Sequence, residues 1–283
     1  MTRRPETPPY EVMRMLAPAN SVRRELKIDQ PTRRLADLVL DDETSSAWKR
    51  VLAEHAAADR LQQHGLQPTR TALLLGPPGC GKTATAEAIA RELGLPLVRC
   101  DAGTLVRSHM GETGQRVTDT LRWGHELPAV WLFDEFDALA QRRTGGDEGI
   151  SREAGRMVTA LLLGLDAWAP AGGMLVAASN MDGLDHALLR RFDVVLRYAH
   201  PTPVHLARIA RKAASGLGLD VRGVDWMEVE SHVSELGPAE VESAVRRAAT
   251  VAIVARREVL TTEDVAREME ALRARARAFA LRE

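Results

Sequence analysis

The sequence has little cysteine: two residues, Cys80 and Cys100, in 283. So few exclude a disulfide framework and predict reduced thiols. Aromatic residues are scarce as well, at 4 %. No stretch approaches the ~20 consecutive apolar residues that a membrane-spanning helix needs. The opening Met1-Thr2-Arg3-Arg4-Pro5 is not followed by the apolar run of a secretory signal. These absences predict a soluble, cytoplasmic protein without a membrane segment. Neither sign of charge is in excess, since 38 basic residues meet 39 acidic ones for a formal charge of -1. The chain therefore lacks the strongly basic footprint of a dedicated nucleic-acid binder. Lysine is also rare: Lys27, Lys49, Lys82 and Lys212 are the four among the 38 basic residues. What is plentiful is apolar content, 45 % of the chain, which excludes wholesale disorder.

Residues 1–35 carry prolines at 5, 8, 9, 18 and 31, show little apolar periodicity and are net basic. Composition predicts a flexible arm there. From Ala47 to His64 the apolar spacing is helical, and Gly65 and Pro68 end it. Short apolar runs at Thr71–Leu75, Leu97–Cys100, Ala129–Phe133, Met174–Ser179 and Val194–Leu196 then alternate with helical stretches at Lys82–Leu93, Thr113–Glu126 and Ile150–Leu165. Strands apolar on both faces, alternating with helices, predict a parallel sheet covered by helices, an α/β three-layer domain over residues 36–202. After Pro201-Thr202-Pro203 the pattern is helical throughout, which predicts a small all-helical domain over 203–283. Thr261 or Thr262 is the expected cap of the last helix.

Two segments carry chemistry. Gly76-Pro77-Pro78-Gly79-Cys80-Gly81-Lys82-Thr83 fits G-x-x-x-x-G-K-[ST], with an apolar strand before it and a helix after. Glycines let backbone N–H groups curl round a phosphate, and the helix N-terminus adds positive partial charge. Lys82 is expected on the β- and γ-phosphates, and the Thr83 hydroxyl on Mg²⁺. Pro78, Gly79, Cys80, Gly81, Lys82, Thr83 and Ala84 are the residues expected along the bound nucleotide. The second segment is the buried run Ala129–Phe133, which delivers Asp134 and Glu135 to the carboxyl edge of the sheet, where ligands bind in such folds. Neighbouring strand residues point opposite ways, so the two carboxylates are read as dividing the work. Asp134 holds Mg²⁺, directly or through water, and Glu135 polarises the attacking water.

Together these segments resemble the two Walker segments of the AAA family within the AAA+ ATPases, and the resemblance runs from about Asp37 to Asp264. It implies further roles. Asn180, at the end of the strand from Met174, stands where the family places its sensor asparagine near the γ-phosphate. Leu184–Asp193 resembles the second region of homology, whose arginines reach the nucleotide of the adjoining subunit. Here Arg190 and Arg191 are adjacent, and both are candidates. Gly237–Glu242 resembles the start of the lid helix. Val106–Thr113 resembles the central pore loop, with His109 in the aromatic position and Met110 in the aliphatic one. Cys80 stands where the family most often has threonine.

The resemblance implies a Mg²⁺-dependent ATPase assembled as a homo-oligomeric ring, a hexamer, that remodels or unfolds a protein partner. The rival reading is an ATP-switched scaffold that recruits its partner without threading it, which the histidine at 109 favours. A small bacterial AAA ATPase acting beside a subtilisin-like protease is one form such a partnership takes. A nucleic-acid remodeller ranks third on charge.

Overall fold

The computed structural model describes residues 26–102, 113–140, 158–168, 173–180, 184 and 186–280. The chain divides into two compact units at Tyr198/Ala199, with 36–39 and 78–81 grouped with the second.

The first unit is built on one six-stranded sheet. Its strands are β1 (Leu26–Asp29), β2 (Thr71–Leu75), β3 (Leu97–Asp101), β4 (Val130–Asp134), β5 (Met174–Ser179) and β6 (Val194–Arg197), in the spatial order β1-β3-β4-β5-β2-β6. Pairing is parallel except between β1 and β3. β2 and β5 are buried at every residue, as the unbroken apolar runs require of strands covered on both faces. Helices α1 (Asp42–Ala56), α2 (Ala58–Gln63), α3 (Lys82–Leu93), α4 (Thr113–Glu126), α5 (Asp137–Ala140), α6 (158–166) and α7 (His186–Leu189) accompany the sheet. The core packs Val98, Phe133, Phe136 and Leu175 with Trp131 and Trp168. Trp123 and Trp131 meet edge to face at 5.0 Å, so three of the five tryptophans share this cluster.

The structure departs from the sequence reading in three places. Leu26–Asp29, inside the segment expected to be a flexible arm, is an antiparallel edge strand, with Leu26 opposite Cys100 and Asp29 opposite Leu97. Four residues carry no readable alternation, and the partner strand supplies the order. The chain after it is held by side chains of α3: Glu87 accepts from the backbone of Thr32 and Arg33, and Glu92 from that of Leu35. The remaining part of the expected arm, 1–25, lies outside the described residues. Second, the helix expected from Ala47 begins five residues earlier. Asp41 caps it by accepting from Thr44 N at 2.7 Å, and Asp42 and Glu43 suit its positive end. Third, that helix is interrupted at Ala57 and resumes as α2.

The second unit is helical: α8 (Pro203–Ser215), α9 (Trp226–His232), α10 (Pro238–Val254) and α11 (Thr262–Ala280). One isolated bridge, Asp220 to Val259, is its only described strand-like pairing. Each start has a local cause. Thr202 caps α8 with Pro203 in the first turn, Asp225 caps α9, and Glu240 reaches back to Gly237 N at 2.7 Å at the start of α10. Of the two threonines expected as caps, Thr262 is the first residue of α11 and Thr261 is the cap, accepting from Asp264 N at 3.2 Å while Asp264 accepts from Thr261 N at 3.1 Å. Leu206, Val229, Val241, Val245, Leu260 and Met269 fill the core of this unit. Lys212 donates to the carbonyls of Ala36 and Leu38, which fastens 36–39 to α8.

Candidate active site

β2 ends at Leu75, and the chain turns at Gly76. A Cβ on Gly76 would lie 2.3 Å from the carbonyl oxygen of Tyr198, so only glycine fits where the strand leaves the sheet. Gly79 and Gly81 follow with φ of 76° and 98°, left-handed conformations that glycine adopts without a Cβ penalty. Helix α3 then starts at Lys82.

Lys82 is 6 % exposed. A buried ammonium is stable only when its donors are satisfied. Here Nζ donates to Gly76 O at 2.7 Å, Pro77 O at 2.8 Å and Asn180 Oδ1 at 2.9 Å. Asn180 is thereby brought to the lysine from the end of β5, 98 residues away in sequence. The next residue of the helix, Thr83, donates from Oγ1 to Asp134 Oδ2 at 2.9 Å. Two hard oxygens at that spacing suit a hard divalent cation whose other ligands are water and substrate oxygen. Among the described residues no group of three or more His, Cys, Asp or Glu could form an all-protein metal cage. The Thr83–Asp134 pair fits magnesium held with a phosphate, and the Lys82 cradle fits the phosphate.

Glu135 is exposed and adopts φ of 52°. The sequence reading placed it on the strand opposite Asp134. In the structure β4 stops at Asp134, and Glu135 diverges because the backbone turns left-handed there. Such a conformation costs a non-glycine residue about 1–2 kcal/mol and persists where neighbours over-determine it. Glu135 N donates to Asp134 Oδ1 at 3.1 Å, and Phe136 N donates to Ala178 O at 2.8 Å. Asp137 Oδ1 accepts from Ser179 Oγ and from Asn180 N, each at 3.2 Å. Sequence reasoning missed this side chain. Its signal was an acidic residue two positions beyond the paired carboxylates, at a helix start.

Lys82, Thr83, Asp134 and Asn180 thus meet at the carboxyl edges of β2, β4 and β5, with Glu135 next along the chain from Asp134. Pro78, Gly79, Cys80 and Gly81 form the turn that leads into Lys82, and Ala84 follows Thr83 in α3. Cys80 is half-buried and Cys100 buried, and the two are not joined in a disulfide. Arg190 and Arg191 are placed elsewhere. Both are exposed. The Arg191 carbonyl accepts from Thr71 Oγ1 at 3.3 Å, at the opposite end of β2, and its guanidinium pairs with Asp166 at 2.6 Å. At ~3.3 Å per strand residue, β2 separates the two ends by roughly 15 Å. His109 and Met110 lie outside the described residues.

Residues 72–199 match the family described as "ATPase family associated with various cellular activities (AAA)". A protein of Sinorhizobium fredii described as an uncharacterized AAA family ATPase is 36 % identical over 242 residues, which cover 85 % of this chain and 72 % of that protein. Proteasome-activating nucleotidases of Thermococcus onnurineus and Pyrococcus furiosus are each 33 % identical, over 73 % and 72 % of this chain and 52 % of their own length. The chain thus spans about half the length of those nucleotidases. Among the described residues no helix is long and apolar enough to cross a membrane.

Proposed function

This chain belongs to the AAA family of ATPases, and from that premise we propose that it hydrolyses ATP with Mg²⁺, in a hexameric ring of its own copies, to remodel or unfold a protein partner. The observation that carries the reading is the convergence of Lys82, Thr83, Asp134 and Asn180 at one edge of the sheet, with Glu135 adjoining Asp134. Lys82 gives up its carbonyl partners for the β- and γ-phosphate oxygens, where its charge offsets the negative charge that develops. The glycine turn 76–81 offers backbone N–H groups to the same phosphates. Thr83 and Asp134 hold magnesium, which supplies charge neutralisation to the phosphates when bound. Glu135 accepts a proton from the attacking water, and Asn180 orients that water through the amide it turns toward Lys82.

Arg190 and Arg191 sit at the far end of β2 from this group, too distant for an arginine to reach its own chain's lysine pocket. That placement supports a role on the adjoining copy. An arginine supplied in trans is worth ~10³–10⁵ in rate, because it meets charge that appears only in the transition state. A site completed by a neighbour in turn requires an assembly such as the ring. A cytoplasmic place of action accords with two cysteines not joined in a disulfide. Remodelling of proteins is the activity suggested by the nucleotidases that share this domain.

The test is Glu135→Gln in the full chain. It should bind ATP with wild-type affinity, hydrolyse it at least about 100-fold more slowly, and hold partners long enough to be isolated. A variant that hydrolyses at the wild-type rate refutes the assignment of the base. An alternative, a switched scaffold that recruits a partner without threading, is favoured by histidine at position 109. It predicts no stimulation of turnover by an unfolded polypeptide, whereas threading predicts stimulation.

A further inference from the structure

The hydrogen-bond ladder between β4 and β5 ends at Phe133 opposite Ala177. Beyond it lie the two groups that must act on one water, Glu135 on one chain segment and Asn180 on the other. No strand pairing fixes their separation, and Glu135 sits in the left-handed region at φ 52°. Two links span the gap. Phe136 N donates to Ala178 O at 2.8 Å. One oxygen of Asp137 accepts both Ser179 Oγ and Asn180 N at 3.2 Å.

We propose that Asp137 is a positioning residue for hydrolysis: its carboxylate ties the turn that carries Glu135 to the tip of β5 that carries Asn180. The inference rests on the ATPase reading given above. Asp137 is two residues after Glu135, so its Cα is fixed by the same turn, which Ala138 N closes by donating to Glu135 O at 2.8 Å. Its Oδ1 holds Asn180 by the backbone N–H, while the side chain of Asn180 is held by Lys82 at 2.9 Å. A continuous chain of contacts therefore runs from Glu135 through Asp137 and Asn180 to the lysine. Removing the carboxylate leaves the single Phe136 N–Ala178 O bond across the gap, frees the Asn180 backbone from the turn and lets that turn relax toward ordinary φ. Ground-state phosphate binding, which rests on Lys82 and the glycine turn, is untouched. The expected signature is a loss in kcat without a loss in nucleotide affinity.

What matters is an acceptor at the Oδ1 position, not negative charge. Three substitutions separate these. Asp137→Asn keeps the acceptor and removes the charge. Asp137→Glu keeps the charge and moves the acceptor by one methylene. Asp137→Ala removes both. We expect the asparagine variant to keep kcat within about threefold of wild type. The glutamate and alanine variants should lose about 10–100-fold, the scale of a 1 Å misplacement of reacting groups. The Kd for ATP, measured with Mg²⁺ in the full chain, should change by less than about threefold in all three. The asparagine and glutamate variants are read as a pair, so the test stands even if the alanine variant does not fold. Full activity in the glutamate variant with loss in the asparagine variant overturns the proposal, as does wild-type kcat in the alanine variant. A wild-type chain that hydrolyses no ATP overturns the underlying ATPase reading as well.

Discussion

Gly76→Ala is the substitution whose effect the structure sets most sharply. The added Cβ would stand 2.3 Å from Tyr198 O and 2.9 Å from Tyr198 Cβ. Ordinary contact for such atoms is about 3.5–4 Å, so the two backbone segments must part by about 1 Å. Tyr198 cannot yield freely. Its N–H donates to Leu75 O at 2.7 Å, and its hydroxyl accepts from Trp48 Nε1 at 3.0 Å inside the core. Overpacking of this kind costs ~1–3 kcal/mol, and forcing a Cβ residue into this glycine's backbone geometry adds ~1 kcal/mol. A loss of about 2–4 kcal/mol is expected, lowering the unfolding midpoint by roughly 3–7 °C for a chain of this size. Gly79→Ala is the control. No atom lies within 4 Å of its Cβ position, and its φ is 76°. Conformational strain alone, about 1–2 kcal/mol, applies there. Thermal unfolding without nucleotide, followed by tryptophan fluorescence, measures both. Gly76→Ala as stable as wild type, or less damaging than Gly79→Ala, would refute the close approach at Tyr198.

Two further outcomes follow from the same geometry. Thr83→Ala removes one of the two oxygens assigned to magnesium, so the Mg²⁺ concentration for half-maximal turnover should rise about tenfold or more while metal-free nucleotide binding persists; an unchanged magnesium titration contradicts the assignment. In the helical unit, the Arg257 guanidinium and the Thr261 hydroxyl and N–H hold Asp264 well below its ordinary 3.8, at about 2. A depressed folded-state value stabilises above the unfolded value and is lost as pH falls through the folded one, so this carboxylate contributes about 1–2 kcal/mol above pH 4 that disappears toward pH 2. Arg257→Ala should remove most of that and leave stability changing less between pH 4 and pH 2, as read by urea unfolding at each pH; an acid profile identical to wild type contradicts it.

Most of the sheet was legible because its signals are local. Thr71–Leu75, followed by glycines and then by a helix opening at Lys82, states strand, turn and helix in one uninterrupted stretch. β1 was not legible. Leu26–Asp29 has no pattern of its own, and its order comes from β3, some 70 residues on. The start of α1 was legible but missed: Asp41 before Asp42 and Glu43 is a capping signal, which the apolar periodicity from Ala47 masked. At the site, Lys82, Thr83, Asp134 and Glu135 could be named because their types and spacing carry the chemistry. Asp137 could not, because its partners Ser179 and Asn180 are brought to it only by the β4–β5 pairing. The pairing of Arg191 with Asp166 was hidden for the same reason. Among 38 basic residues, no single arginine announces its partner.

The central claim is a catalytic site divided between two copies of the chain, with Glu135 from one and Arg190 and Arg191 from the other. Mixing tests it most directly. Glu135→Gln and the double substitution Arg190→Ala, Arg191→Ala should each be inactive alone. Coexpressed in equal amounts, they should recover about a quarter of wild-type ATP turnover, because a random closed ring joins an intact Glu135 to intact arginines at one interface in four. No recovery in mixed rings would contradict the account.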